Sequence, residues 1–478
     1  MKNSILRLWP ISIFILLGFT GCAVFQARTR EENRKTPEMF NGFNCKDSTN
    51  SAQINWRQYF TDPYLTALID TALGNNQELN ILLHEIEIQK NEIRSRKGEY
   101  LPFVALTGGA GVEKEAHYTR NGAVDEQLEI QPGKPFPKPL GDFGLGLSAS
   151  WELDVWKKLR NARKSAVLNY LAGIEGRNFM VTHLISEIAM TYYDLMALDN
   201  QLSIVQRNID VQSNALQTIQ QEKQAAKVSQ LAVNRFQAQL LNTQNLQYEI
   251  LQQITETENR LHFLMGKFPG PIKRNPQVLT EVSMDTILAG IPAQLLANRP
   301  DIRQAEKELA ASRLDIEVAK ANFYPSFALR AHTGFQAFNP TYLLNPESMA
   351  LNFAGDLVAP LVNRNAIRAN YLNANERQIQ AAYAYEKTIL NAYLEVVNEL
   401  SQIRNYSESF DTKSREVDIL TQSITISNNL FRSARADYME VLLTQRESLE
   451  SKMELVEIKL KQMQAKVHLY KALGGGWN

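Results

Sequence analysis

An internal duplication constrains this chain more than any other feature of its sequence. Residues 85–111 resemble residues 308–334, and residues 160–266 align with 368–474 without a gap. The first pair is offset by 223 residues and the second by 208, so the first copy carries a net insertion of 15 between residues 112 and 147. Each copy reads as a helix, a strand, a loop, a strand and a very long helical region. The 478 residues therefore predict one duplicated unit, not the three unrelated domains that length alone suggests.

Two segments in each copy alternate between apolar and polar residues, which is the period of a strand with two different faces. The apolar positions are Val104, Leu106, Gly108, Ala110 and Val112, then Phe143, Leu145, Leu147, Ala149, Trp151, Leu153 and Val155, then Phe327, Leu329, Ala331, Thr333 and Phe335, then Met349, Leu351, Phe353, Leu357 and Ala359. These segments exceed the usual length of about five or six residues and match the roughly 9 to 11 of a tilted membrane strand. Two hairpins packed on a soluble core remain the alternative.

The number of strands has a consequence for assembly. Single-chain membrane barrels begin at about eight strands. An open sheet edge in lipid would leave backbone groups without hydrogen bonds. If the four strands lie in a membrane, several copies of the chain must therefore complete one barrel.

The rest of each copy predicts long packed helices. Between residues 361 and 473 the sequence contains neither Gly nor Pro, and apolar residues recur three and four positions apart. Such repeats are typical of left-handed coiled packing. We predict helices over about 64–99, 157–226 and 230–265. Polar breaks at equivalent places in the two copies indicate where the long helices turn back, at 225–230 and 433–438.

The N-terminus predicts export and lipid anchoring. Lys2 and Arg7 precede the short apolar segment Ile11 to Phe19, as in a signal peptide. The tetrapeptide that ends in Cys22 is similar to a bacterial lipobox, so the Cys22 thiol and amine are expected to carry acyl chains, enough for a stable anchor. Ala23, and not Asp, follows Cys22, so the resemblance to sorted bacterial lipoproteins favours the outer membrane over the inner one. Cys45 is the other cysteine, and we expect no intramolecular disulfide.

These observations give a predicted domain organisation. Residues 1–21 are a signal peptide and 22–63 a lipid-anchored extension. The first structural repeat, 64–285, holds the hairpin 103–155 and the long helices 157–265. The second, 286–478, holds the hairpin 326–361 and the long helices 362–473.

Composition argues against several other function classes. Lys plus Arg equals Asp plus Glu at 51 each, so no net positive charge attracts nucleic acid. The six histidines do not fall at metal-ligand spacing, and the glycines at 108, 109 and 111 follow no phosphate-binding pattern. Asp301 and Glu306 are interpreted as residues at a helix start. We therefore predict no cofactor, no metal site and no enzymatic activity.

Four sequence motifs carry a resemblance to a known family. They are IPAQLLANRPDIRQAEKELAASRLDIEVAKANFYPSFAL at 291–329, WELDVWKKLR at 151–160, LTQRESL at 443–449 and ALGGGW at 472–477. The resemblance covers nearly the whole mature chain. The chain resembles the TolC-like outer-membrane efflux factors, specifically the lipoprotein branch called OprM-like or NodT-like.

The resemblance implies a mixed α and β membrane protein and a passive exit duct for drugs or other small toxic compounds. It implies a homotrimer in which four transmembrane strands per chain make a twelve-stranded barrel that continues into a periplasmic α-helical barrel. It also implies a periplasmic adaptor and an inner-membrane pump of the RND type as partners, with outer-membrane lipid around the barrel. A duct for protein export of the type I secretion kind, and a lipid-anchored coiled-coil scaffold without a pore, remain the alternatives.

The candidate site residues lie where the long helices turn back. Lys227, Arg435 and Asp437 are charged, and symmetry would repeat them around a periplasmic aperture that salt bridges could hold shut. A solvated helix tip is the alternative interpretation for each. Ala226 and Ala434 stand where the family commonly has Gly.

Overall fold

The computed structural model describes residues 28–40, 50–275, 279–282 and 288–477. The predicted signal peptide, the predicted lipid attachment at Cys22, and Cys45 lie outside these residues. Among the described residues, no helix is both long enough and apolar enough to cross a membrane.

The first repeat begins with short helices and ends with very long ones. Its elements, in chain order, are α1 (Trp56–Tyr59), α2 (Pro63–Asn75), α3 (Gln77–Tyr100), β1 (Phe103–Glu113), α4 (Arg120–Gln127), β2 (Glu129–Gln131), β3 (Lys134–Pro135), β4 (Leu140–Leu153), α5 (Lys158–Gln224) and α6 (Gln230–Leu264).

The second repeat has the same order without the inserted elements. It consists of α7 (Leu295–Asn298), α8 (Pro300–Ala321), β5 (Ser326–Ala337), β6 (Met349–Val358), α9 (Asn365–Arg432) and α10 (Tyr438–Ala472). The predicted breaks at 225–230 and 433–438 are confirmed, since α5 ends at Gln224 and α9 ends at Arg432.

The four long strands form one antiparallel sheet in the order β1-β4-β5-β6. Its register supports the predicted faces, because Leu106 lies opposite Leu147, Leu147 opposite Thr333, and Thr333 opposite Leu351. The neighbouring positions on the other face, Ser148, His332 and Asn352, are also aligned. The sheet therefore has one apolar and one polar face, and within the described chain β1 and β6 are its two edges.

Two predictions about individual elements were wrong. The helix predicted over 64–99 is two helices, because the backbone at Asn76 is extended (φ −60°, ψ 127°). The loop predicted between the two strands of the first repeat contains α4 and the β2–β3 ribbon, with Thr119 capping the first turn of α4. Short-range hydrogen bonds of this kind order a Pro- and Gly-rich segment that shows no long apolar period.

The two helix interruptions preserve the duplication at the level of side chains. Asn76 and Arg299 occupy equivalent positions. The Asn76 amide donates to the carbonyl of Leu264 at 2.9 Å, and the Arg299 guanidinium donates to the carbonyl of Ala472 at 2.8 Å. These carbonyls are themselves equivalent, and both belong to helix ends that lack an intrahelical partner. Each repeat thus ties its first helix break to the end of its last helix.

The described residues divide into two compact units, and each unit takes segments from both repeats. One comprises Glu87–Leu171 and Lys307–Tyr383 together with the chain up to Glu31, and it contains the sheet. The other comprises Glu32–Ile86, Ala172–Glu306 and Ala384–Asn478. The larger core lies in the second unit, where the buried Tyr470 stacks on Tyr59 with ring centroids 4.1 Å apart.

Candidate functional site

The apolar face of the sheet is largely uncovered in the single chain. Leu106 is 72 % exposed, Leu351 is 76 % exposed and Phe353 is 72 % exposed. Burying such side chains in hydrocarbon is favourable, at roughly 25 cal/mol per Å² of apolar area removed from water. A face of this size needs an apolar environment outside the chain.

Aromatic side chains mark the end of the sheet that leads into the helices. The indole N–H of Trp151 donates to the carbonyl of Tyr100 at 3.0 Å. The indole N–H of Trp156 donates to the carbonyl of Pro325 at 2.7 Å, and its ring stacks on Tyr324 with centroids 4.7 Å apart. Tryptophan and tyrosine are enriched at the membrane–water interface because their rings are apolar and their N–H and O–H groups are polar.

The polar face carries hydrogen-bonding and charged groups over the same strands. Arg330 on β5 pairs with Asp356 on β6 at 3.1 Å, and Gln336 donates to Asp142 at 2.8 Å. Lys158, at the start of α5, pairs with Glu152 at 2.8 Å. Such a face suits water and not lipid, so the two faces of the sheet separate the two environments.

The two hairpin tips have the same backbone geometry. Lys227 N–H donates to the carbonyl of Glu222 and Ala226 N–H to that of Lys223, each at 2.9 Å. Ala434 and Arg435 repeat both bonds at the second tip. This arrangement is the Schellman motif, which needs a left-handed residue at its end. Ala226 and Ala434 occupy that place with φ of 59° and 57°, so the predicted departure from Gly does not prevent the turn.

Apolar side chains pack the two tips together. Ile219 and Phe236 are buried in the first hairpin, and Phe431, Tyr438 and Leu442 of the second hairpin pack against their cluster. The tips are therefore held by hydrophobic contact, and their charged residues are not needed for that packing.

All three predicted aperture residues are exposed on these tips. Lys227 lies in the first turn-back segment, and Arg435 and Asp437 lie in the second. Within the ranges that the structure describes, no salt bridge joins these three residues. Asp437 is at the cap position of α10 but makes no side-chain cap hydrogen bond, whereas Ser229 caps α6 by accepting from Ala232 N–H at 3.4 Å. The carboxylate of Asp437 is therefore available to a partner outside the hairpin.

The charged residues in and just after the RPDIR segment, residues 299–303, have structural partners. Arg299 is 5 % exposed, and its guanidinium pairs with Asp301 at 2.7 Å and with Glu395 at 2.6 Å. Burial would lower the pKa of Arg299, but Asp301 and Glu395 outweigh it and raise that pKa. Asp301 lies in the first turn of α8, and Glu306 pairs with Arg34 at 3.0 Å. The sequence prediction missed the contacts of Arg299, which depend on residues distant in the chain.

Two carboxyl groups are perturbed by burial. Burial raises the pKa of Asp194 to about 6, although its carboxylate accepts a hydrogen bond from Gln464 at 2.8 Å. Burial and the nearby charge of Glu395 raise the pKa of Glu399 to about 7. Over the described ranges, no group of three His, Cys, Asp or Glu side chains is arranged to hold a metal ion.

Comparison with known proteins agrees with this architecture. The family model described as outer membrane efflux protein matches residues 68–267 and 291–475. The chain is 28 % identical over 479 residues to the solvent efflux pump outer membrane protein SrpC of Pseudomonas putida, covering 98 % of both chains. It is 25 % identical over 471 residues to the cation efflux system protein CusC of Escherichia coli, covering 97 % of both.

Solved structures support the fold independently. The open state of the MtrE outer membrane channel of Neisseria gonorrhoeae has a TM-score of 0.83 with this chain at 21 % identity, covering 95 % of this chain and 99 % of that one. The two matched segments of the family model take in most of the chain, including both hairpin tips and all four strands of the sheet. The chain belongs to the outer membrane efflux protein family, whose members form homotrimeric outer-membrane channels that work with a periplasmic adaptor and an inner-membrane pump.

Proposed function

We propose that this chain supplies one third of a passive exit duct for small toxic compounds, organic solvents among them. One observation carries the proposal: a four-stranded sheet with one apolar face, one polar face and two open edges. Copies of the chain joined at those edges would place the apolar face in lipid and the polar face around an aqueous passage.

The duct acts without catalysing a reaction. Charged residues that stand out in the sequence are engaged in structural pairs, Arg299 with Asp301 and Arg274 with Asp199 at 2.5 Å. The energy for export comes from the inner-membrane pump. The chain's own contribution is a continuous passage through the outer membrane.

The names of the relatives indicate a broad range of cargo. The relatives include proteins named for solvent efflux, toluene efflux, pyoverdine export and cation efflux. A wide aqueous passage makes few specific contacts with its cargo, so substrate choice lies with the pump. Toluene and similar solvents are the first compounds to test here, because the outer membrane proteins of a solvent efflux pump and of a toluene efflux pump are each 28 % identical to this chain.

Conductance measurements on the purified full-length protein in planar bilayers test the pore itself. We expect discrete single-channel steps. A protein that binds to the bilayer and produces no steps would instead be a pore-less scaffold. Expression in a cell that retains an adaptor and solvent pump but lacks its own outer-membrane channel should restore toluene tolerance. A duct for protein export would leave that tolerance unchanged.

The charged tip residues are part of this proposal as the periplasmic aperture. In the assembly, the free carboxylate of Asp437 would pair with a basic tip residue, Lys227 or Arg435, of a neighbouring hairpin. Asp437→Ala should then raise mean single-channel conductance at least about twofold, because a surface pair worth about 0.2–1 kcal/mol is lost at each symmetric copy. Glu440→Ala, one turn further along α10 and also exposed, is the control and should leave conductance unchanged. An unchanged conductance in Asp437→Ala removes Asp437 from the aperture.

Lipid attachment at Cys22 is a further part of the proposal. Removal of residues 1–21 would make Cys22 the mature N-terminus, and its acyl chains would anchor the chain in the outer membrane. Metabolic labelling with a radioactive fatty acid should label the wild-type chain and Cys45→Ser equally and leave Cys22→Ser without label. Label retained in Cys22→Ser would contradict this assignment.

A further inference from the structure

A run of basic residues lies where the sheet passes into the first long helix. Between Asp154 and Glu175 the sequence has no acidic residue and five basic ones, Lys157, Lys158, Arg160, Arg163 and Lys164. Four of the five lie in the first two turns of α5. The N-terminal end of a helix carries partial positive charge, so basic side chains there are electrostatically unfavourable. An anion bound nearby would offset that repulsion.

Only part of this positive charge is neutralised within the chain. Lys158 pairs with Glu152, and Arg160 pairs with Asp154 at 3.0 Å. Arg163 and Lys164 are both exposed, and neither makes a salt bridge in the part of the chain that the structure describes. Two adjacent positive charges are therefore left for a partner that the chain does not supply.

These two residues border an apolar groove between α3, α5 and α8. The groove has a volume of about 570 Å³ and is lined by Arg163 and Lys164 together with Tyr100, Val167 and Leu314. Two positive side chains beside an apolar wall complement a molecule that has an anionic group and a hydrocarbon part. A purely polar anion such as free phosphate would leave the apolar wall unused.

The groove adjoins the lipid-facing side of the sheet. Trp151, on the apolar face of β4, donates from its indole N–H to the carbonyl of Tyr100, which lines the groove. The groove thus lies at the depth where the aromatic side chains mark the membrane boundary, and basic side chains near a membrane surface attract anionic lipid. We infer that this groove binds an anionic phospholipid, with its phosphate at Arg163 and Lys164 and the start of an acyl chain against Val167 and Leu314.

The second repeat shows that the fold does not require these charges. Tyr371 and Leu372 stand at the positions equivalent to Arg163 and Lys164. Tyr371 is buried there and contacts Phe323 edge to face, with ring centroids 5.7 Å apart. One copy of the duplicated unit therefore uses this place for packing, and the other leaves it open and basic.

Native mass spectrometry of the purified full-length trimer tests the inference. The probes are dioctanoylphosphatidylglycerol, dioctanoylphosphatidylcholine and glycerol 3-phosphate, titrated separately. We expect the phosphatidylglycerol to bind at least about fivefold more tightly than the phosphatidylcholine, since each basic residue near a lipid surface contributes about 1 kcal/mol. The double variant Arg163→Gln with Lys164→Gln should reduce that preference to less than about twofold.

A matched control removes two charges elsewhere. Lys267 and Lys273 are exposed and lie beyond α6, so Lys267→Gln with Lys273→Gln should keep the preference. If the first double variant fails to assemble, Arg163→Tyr with Lys164→Leu takes its place, because the second repeat folds with those residues. Equal binding of the two lipids by the wild type, or a preference that survives in the variants, would overturn the inference. Glycerol 3-phosphate binding as tightly as the lipid would show a phosphate site only and would also overturn it.

Discussion

Four helix ends in this protein share one backbone motif but use different residues for it. The long helices α6 and α10 are followed by Schellman motifs with Gly266 and Gly474 at the left-handed position, where φ is 64° and 89°. The motifs that follow α5 and α9 have Ala226 and Ala434 at that position. A Cβ atom at Gly266 would lie 2.4 Å from the carbonyl oxygen of Asn75, and at Gly474 it would lie 2.6 Å from an equivalent carbonyl. Another segment of the chain thus excludes a side chain at Gly266 and Gly474. At the two tips alanine is accepted, and its left-handed conformation lowers the stability by roughly 1–2 kcal/mol each.

Gly474→Ala should therefore lower the stability of the folded protein. The Cβ atom meets backbone, which cannot move as a side chain can, and the left-handed conformation adds strain, so we expect a loss of at least about 2 kcal/mol. Gly74→Ala is the control, because Gly74 lies near the end of α2 with nothing within 4 Å of its added Cβ. The measurement is the temperature at which the trimer dissociates. Equal dissociation temperatures for the two variants would contradict the close approach at Gly474.

The ionisation of Glu399 is expected to make the stability of the folded protein depend on pH. Its Oε2 atom is buried without a hydrogen-bond partner among the described residues, and burial and Glu395 raise its pKa to about 7, with Lys471 opposing. The unfolded chain has a pKa near 4.3 at this residue, so the folded state holds more protons between that value and pH 7. The stability contribution of Glu399 therefore falls as the pH rises through this window and is constant above it.

Glu399→Gln removes the ionised form that causes this loss. We expect it to stabilise the protein by about 1 kcal/mol at pH 8, after allowing for the partial solvent exposure of the side chain, and to have little effect at pH 4. Glu408→Gln, an exposed carboxylate on the same helix, should have little effect at either pH. Thermal dissociation at both pH values is the measurement. A stabilisation of the same size at pH 4 and pH 8 would show that ionisation of Glu399 is not its cause.

At the scale of elements, the strands follow the sequence pattern closely and the shorter helices follow it less well. Period-two alternation identified β1, β4, β5 and β6, because every second side chain of a strand meets the same environment. The break at Asn76 was missed because α2 and α3 have similar apolar spacing on either side of it. Asn76 caps α3, since its side-chain oxygen accepts from Leu79 N–H at 2.9 Å, and its amide donates to the carbonyl of Leu264, nearly 190 residues away. Local sequence contains no record of the second contact.

The two faces of β4 give a prediction with an internal control. Leu147 and Ser148 are adjacent but lie on opposite faces of the sheet, near the middle of β4. Leu147→Arg would place a charge in lipid and should destabilise the membrane-inserted state by about 2–4 kcal/mol, whereas Ser148→Arg should be tolerated in water. Outer-membrane fractionation with heat-dependent gel migration of the trimer measures both. Similar amounts of trimer for the two variants would show that the faces are assigned wrongly.

At the scale of the whole molecule, the open edges of the sheet make the single chain incomplete. The outer edges of β1 and β6 have no partner strand among the described residues. Unpaired backbone groups are not tolerated in lipid, and four strands are too few to close on themselves. The homotrimer of this family resolves both problems, because each edge meets the opposite edge of a neighbouring copy. The function therefore belongs to the assembly, and no single chain contains a complete passage.

The sequence by itself determined the duplication, the four two-faced strands, the long helices with their turns at equivalent places, and the need for several copies. These features depend on periodicity and spacing, which neighbouring residues encode. The tertiary structure alone decided the contact of Asn76 with the end of α6, the buried pairing of Arg299, the need for Gly474, and the joining of Arg163 and Lys164 with an apolar groove. Each of these depends on contacts between residues far apart in the chain, where packing and burial select the residue and local propensity does not.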